Sequence, residues 1–152
     1  MRSYQLYLLD EAIVNRYYGQ EIKLFNLFCE RFQADHTLKP LLTKQVEYIT
    51  KPLPTKELLK ILSKEDHYLS SEQVNVSTYR MEHSPSGSWV DVKLRDHHLL
   101  LMAFGKMEIE TRLFERLKEL NTYFFAVNVG QRRFGWLGPI KKVQAFQNSH
   151  SI

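Results

Sequence analysis

Cysteine is almost absent from this chain. Cys29 stands alone, so no intramolecular disulfide can form. It lies in the apolar run LFNLFCERF, where a small buried hydrophobe is expected rather than a nucleophile, which would need an accessible, electropositive site. Glycine is scarce as well, with six residues in 152. No G-x-S-x-G, P-loop or G-x-G-x-x-G arrangement occurs, and SPSGS at 84–88 lacks the helix and lysine that a phosphate loop requires. Long apolar runs are missing too. None approaches the ~18 residues of a membrane span, and acids interrupt the N-terminal MRSYQLYLLDEAI, so no secretory leader is expected. These absences predict a cytoplasmic protein without a membrane partner.

Metal-ligand spacings are equally lacking. His97 and His98 are adjacent, and on a strand neighbouring side chains point to opposite faces, so they cannot chelate one ion. The other four histidines fall at apparent element ends, with no C-x-x-C or H-x-x-x-H spacing. Neither a metal nor another cofactor is expected. The carboxylate pairs Glu108/Glu110 and Asp91/Asp96 lie in amphipathic elements, where a solvated face accounts for them. No catalytic residue emerges, and an enzyme is not expected.

Acid is absent from the last 32 residues. The first 120 are balanced, and Arg132, Arg133, Lys141 and Lys142 carry the formal +4. That is thinner than the dense basic clusters that track phosphates. It nevertheless defines an alternative reading, a nucleic-acid binder using the basic C-terminal hairpin region.

What the chain does hold is ring surface: nine Phe, eight Tyr and two Trp, which require a core or a partner. At 152 residues one domain with a sizeable core is expected. SYQLYLL reads as a first strand. Asp10 offers an N-cap for EAIVNRYY, and Gly19 stands at the C′ position. Residues 21–34 carry a broad stripe of Ile22, Phe25, Cys29 and Phe32, widened by Leu24, Leu27 and Phe28, which predicts a largely buried helix. Pro40 opens a third helix with Leu42, Val46 and Ile49 inward, ended by Pro52 and Pro54. Thr55 caps a short fourth helix. Strands follow at 74–83, 88–96 and 98–104, the last continuously apolar and so central, then a helix at 107–120 and a strand at 122–129. The fold class predicted is α/β (α+β): a single domain with a mixed, mostly antiparallel sheet of five or six strands packed by helices.

QRRFGWLGP, residues 131–139, invites comparison with the aromatic strand motif of RNA-binding domains, but the glycine expected between the basic residue and the first ring is absent. In a hairpin, Phe134 and Trp136 share one face, and core is the favoured reading. Gly135 is expected to admit a close approach by a backbone or ring.

Four segments, YLLDEAIVNRYYGQE, TKQVEYITKPLP, MEIETRLFERLKEL with its preceding strand, and QRRFGWLGPIKK, together resemble the sporulation inhibitor of replication family, SirA, of endospore-forming bacteria. The most specific are the Tyr-Tyr-Gly-x-Glu corner, the Gln-x-x-Tyr-Ile-Thr-x-Pro-x-Pro run and the Gln-Arg-x-x-Gly-Trp-Leu hairpin. The resemblance implies one SirA-like domain over 1–152, with the last ~6 residues disordered. It implies a non-enzymatic inhibitor that binds domain I of the replication initiator DnaA, stops its assembly at the origin, and makes no direct nucleic-acid contact. It also implies partner contacts at Ile13, where the family has an aromatic residue, at Tyr17 and at Gln45. From residue type alone Ile13 and Tyr17 would pack on the sheet. The resemblance turns Tyr17 outward and leaves Ile13 open between the two roles.

Overall fold

The computed structural model describes residues 1–121 and 123–140. Lys141, Lys142 and the tail expected to be disordered lie outside the described residues. Chain order runs β1 (Arg2–Leu8), α1 (Glu11–Arg16), α2 (Glu21–Gln33), α3 (Lys39–Ile49), α4 (Thr55–Leu62), β2 (Ser70–Asn75), β3 (Thr78–His83), β4 (Ser88–Leu94), β5 (His98–Phe104), α5 (Glu108–Leu120), β6 (Phe124–Asn128) and β7 (Arg133–Trp136). The strands form one seven-stranded sheet in the order β2-β3-β4-β5-β1-β6-β7, every neighbouring pair antiparallel. The expected α/β class with a mostly antiparallel sheet is what the protein adopts.

The sheet has more strands than expected because residues 74–83 are not one strand. The chain turns at Asn75, whose Oδ1 accepts the Ser77 amide at 3.0 Å, and β2 pairs back on β3 with a register shift between Gln73 and Asn75.

Each face of the sheet carries its own core. One lies under α4 and α5 and gathers Leu6, Leu8, Met81, Val90, Val92, Leu99, Leu101 and Phe124 with Ile109, Leu113 and Leu117 of α5. The other lies under α1, α2 and α3 and gathers Tyr7, Leu9, Phe125 and Val127 with Ile13, Phe25, Phe28, Val46 and Ile49. Side chains alternate along a strand, so a strand covered on both faces must be apolar throughout. LYL of β1, continued by Leu9, and FFAV of β6 meet that demand. β5 does not: Leu99, Leu101 and Ala103 are buried, whereas Met102 and Phe104 face outward, 39% and 49% exposed. The α1–α3 layer therefore leaves much of the β2–β5 half of its face uncovered, so β5 is central in the sheet, as its apolar run predicts, yet fully buried on one face only.

Other expectations shift in detail. Thr55 begins α4 instead of capping it, with Pro54 at the cap. Asp10 occupies the α1 cap position without a side-chain cap bond. Helix α2 is less enclosed than its stripe suggested, since Ile22 and Phe32 are 49% and 57% exposed. Glu110 is not solvated: it is 1% exposed, receives both Arg2 Nε at 2.6 Å and Nη2 at 2.7 Å, and accepts the Tyr4 hydroxyl. Asp91 is paired with Arg80 at 2.7 Å. Gly135 admits no close approach, for a Cβ there would meet nothing within 4 Å. It opens instead onto a cavity of about 300 Å³ between β7 and α5.

At Gly105, φ is +93° and a Cβ would lie 2.5 Å from Ser88 Oγ and 2.8 Å from Ser88 Cα. Ser88 cannot yield freely, because its Oγ holds the Lys106 amide at 2.9 Å. Gly105→Ala is expected to cost about 2 kcal/mol or more in denaturant unfolding. His98 packs against Tyr7 at 5.3 Å between centroids. Burial first, then the charges of Arg31 and Arg95, hold its pKa down from 6.5 to about 4. Above pH 6.5 both folded and unfolded states are neutral there. Between 6.5 and about 4 only the unfolded state takes up the proton, so stability falls as pH drops through that window and levels off below it. The loss is expected on the order of 1–2 kcal/mol after solvent screening. His98→Gln should flatten that part of the stability–pH profile.

Candidate protein-binding groove

Helix α1 is short and ends in a tight corner. Tyr17 donates its amide to Ile13 O at 3.0 Å, Gln20 donates to Tyr17 O at 2.7 Å, and Gly19 supplies the left-handed φ of +80° that turns the chain into α2. Glu21 then fixes the corner from the far side. Its Oε2 accepts the Gly19 amide at 3.3 Å and Trp136 Nε1 at 3.2 Å. The Tyr-Tyr-Gly-x-Glu corner and the Gly-Trp hairpin, more than a hundred residues apart, therefore meet at one carboxylate. The remaining hairpin ring supports the same region: Phe134 stacks on Phe25 at 4.8 Å, while Trp136 sets its edge against Phe125 at 4.9 Å. The aromatic face of the hairpin is turned toward the α2 core, with Phe134 at its margin, 38% exposed.

Helix α3 is pinned at its C-terminal end by the Thr-x-Pro-x-Pro run. Thr50 pairs with Leu9 of the chain leaving β1, Lys51 N donates to Leu8 O at 2.7 Å and Leu53 N to Asp96 O at 3.0 Å. Thr50 Oγ1 donates to Val46 O at 2.8 Å and lies 2.9 Å from His97 Nδ1.

Between these two anchored pieces a groove of about 500 Å³ opens, bounded by the end of α1, one side of α2 and the outer side of α3. Its floor is Leu24 and Ile49, with Leu27 on the wall; its rim is Arg16, Tyr17, Lys23, Lys44, Gln45 and Tyr48. Tyr17 is half-buried and Gln45 exposed, so the two residues singled out by the resemblance share one concavity. Ile13 does not. It is 6% exposed and packs in the core beneath α1, because a six-residue helix lying on the sheet buries both Ile13 and Val14. The partner contact that the resemblance implies at Ile13 thus falls on a buried side chain beneath the groove's α1 side.

Two features escaped the sequence. Tyr48 is 78% exposed at the groove, one turn after Gln45 and off the Val46–Ile49 stripe; its position outside that stripe was the available signal. The second is charge: among the described residues three cations and no carboxylate line the groove. Cations without acids favour a partner surface rich in Asp and Glu.

Among the described residues no group of three His, Cys, Asp or Glu is placed to hold a metal ion, and no helix is long and apolar enough to cross a membrane. Cys29 is buried, and burial raises its thiol pKa.

Residues 2–141 match the family described as "Sporulation inhibitor of replication protein SirA". The chain belongs to the SirA family. A relative from Bacillus subtilis (strain 168) with that same description is 29% identical over 148 residues, covering 93% of this chain and 96% of the relative. The family is thus one named for inhibiting replication in sporulation, and the anchored corner and hairpin of this member are two of the segments that resemble it.

Because Trp136 joins the hairpin to the α1–α2 corner, Trp136→Ala is expected to destabilise the fold by about 2–3 kcal/mol, below the ~3–5 of a fully enclosed ring. Thermal melting should report that loss, while partner affinity of the folded protein stays within about threefold. An unchanged melt with lost binding would place Trp136 in the interface.

Proposed function

We propose that this protein inhibits the initiation of chromosome replication during sporulation by binding domain I of DnaA through the α1–α3 groove. The observation that carries the reading is the convergence of Tyr17 and Gln45, distant in sequence, on one apolar-floored groove. The family membership supports the inhibitory role, and the resemblance supplies DnaA as the partner.

A half-buried tyrosine beside an open apolar floor has the make-up of a binding hot spot: a rigid ring with a polar tip, costing little entropy to order. Tyr48 offers a second ring across the groove. Gln45 contributes directional hydrogen bonds at the rim, and Arg16, Lys23 and Lys44 steer an acidic surface into place, raising the association rate more than the final affinity. Inhibition then needs no chemical turnover. Occupancy of domain I keeps DnaA from assembling at the origin, and the action takes place in the cytoplasm, where the initiator works.

Calorimetric titration against isolated domain I tests this. Tyr17→Ala is expected to weaken binding by ~2 kcal/mol or more, roughly thirtyfold in Kd, with its melting temperature nearly unchanged. Gln45→Ala should cost about 0.5–1.5 kcal/mol. Ile13→Ala should instead lower stability by about 2–4 kcal/mol through the cavity it leaves. Full affinity in Tyr17→Ala would sink the groove as the interface. Tight, steeply salt-dependent binding to origin DNA, with none to domain I, would favour the nucleic-acid alternative.

A further inference from the structure

A second concavity, of about 340 Å³, lies on the other side of α3. It forms where the C-terminal end of α2 and the inner flank of α3 overhang the uncovered part of the sheet. Gln5 and Tyr7 of β1 stand opposite Leu100 and His98 of β5, in register on one face, and the β4–β5 turn closes the edge with Arg95, Asp96 and His97.

Its chemistry differs from that of the groove. Three permanent cations converge on it: Arg31 from α2, Lys39 from α3 and Arg95 from the turn. Among the described residues none of the three is in a salt bridge. Two carboxylates, Glu47 and Asp96, also line it. Solvent-reaching cations held at one mouth can share an anion, and the planar fork of Arg matches phosphoryl and carboxylate oxygens.

The floor supplies a further donor. Gln5 is only 7% exposed, and its Oε1 accepts the Tyr7 hydroxyl at 2.6 Å. That leaves the amide Nε2 to donate elsewhere. Gln5 lines this cavity and a neighbouring one beside Val127 and Gly130. His98 is neutral near pH 7, its pKa held at about 4 by burial and by Arg31 and Arg95, and a neutral imidazole can offer an N–H to an oxyanion. Phe32, 57% exposed, and Leu100 add an apolar wall.

We propose that this pocket binds a small phosphorylated organic molecule, its phosphoryl group held by Arg31, Arg95 and the Gln5 amide and its apolar part laid against Phe32 and Leu100. The volume falls at the lower end of small-molecule sites, larger than a bare phosphate needs. Glu47 and Asp96 at the same mouth offset two of the three cations, a balance that opposes a long polyanion more than a single phosphoryl group. This site is independent of the groove and of its partner.

Phenyl phosphate, inorganic phosphate and phenol serve as probes. Each is titrated into the full-length protein at constant ionic strength set with chloride, following the His98 imidazole by NMR. Phenyl phosphate is expected to saturate and to move the His98 signal, with the imidazole pKa rising on saturation because an anion now faces it. It should bind about fivefold or more tighter than inorganic phosphate, and phenol should not bind measurably. Arg31→Gln and Arg95→Gln should each weaken it by about tenfold. Lys44→Gln, in the opposite groove, should leave it unchanged. Arg95 is exposed, so that variant keeps the test valid should Arg31→Gln disturb the fold. Equal affinity for phenyl phosphate and inorganic phosphate would overturn the organic half of the proposal. Undiminished binding in the Arg95→Gln variant would overturn the site.

Discussion

Strand β1 is enclosed on both faces, and both helical layers take their positions from it. Leu6 and Leu8 point into the α4–α5 core while Tyr7 and Leu9 point into the α1–α3 core, none more than 3% exposed. A register slip of one residue would exchange the two sets and spoil both cores together. The strand is held against such a slip from three sides. β5 and β6 pair along it, Arg2 at its start is clamped to the buried Glu110 of α5, and Tyr7 lies flat on Phe28 of α2 at 3.9 Å. The Arg2–Glu110 pair could stabilise little in net terms, given the cost of desolvating a carboxylate. Its two hydrogen bonds and the Tyr4 hydroxyl nevertheless leave the carboxylate oxygens satisfied, and they tie α5 to one register of β1.

Groove geometry follows from that strand. Tyr17 is reached by leaving β1 through Asp10 and a single short helix, so its position is set within a few residues of the sheet. Gln45 is reached from the other direction. Helix α3 ends at Thr50, which bridges back to Leu9. Both sides of the groove are therefore referenced to the same two residues at the end of β1. The hairpin adds a third fixture through Trp136, Glu21 and Gly19. A docking surface built on such supports presents its side chains with little reorganisation on binding, which lowers the entropic cost of association.

How much of this could be read from the sequence depends on how local each determinant is. Gly19 and Pro40 acted locally, and the turns and helix starts they mark are where they were expected. The apolar–polar alternation at 74–83 concealed a turn, because Val74 and Val76 resemble inward strand residues yet are 55% and 91% exposed. Glu110 looked like one more charge on an amphipathic helix, and only its distance-108 partner Arg2 reveals it as buried. Ile13 and Tyr17 share a helix face, but the sheet lies so near α1 that the first is covered and the second half-covered. The convergence of Tyr17 with Gln45 and Tyr48 is wholly tertiary. No periodicity encodes which flank of α3 meets the end of α1; the resemblance named Tyr17 and Gln45, and Tyr48 emerged only from the tertiary structure.

Helix α3 shows why its own pattern was hard to read. It meets three environments at once: Lys44, Gln45 and Tyr48 line the groove, Lys39, Thr43 and Glu47 line the opposite pocket, and among its residues only Val46 and Ile49 are buried. So narrow an apolar stripe cannot hold eleven residues in place by burial alone, since helices in proteins owe most of their stability to a packed face. The ends must contribute. Asp35 Oδ1 accepts the Thr37 and Leu38 amides at 2.9 and 3.0 Å before the first turn, and Thr50 and Lys51 tether the last turn to β1. A helix fixed at its ends can leave both flanks unburied, which is why the Thr-x-Pro-x-Pro exit supports the proposed binding surface even though none of its side chains lines the groove.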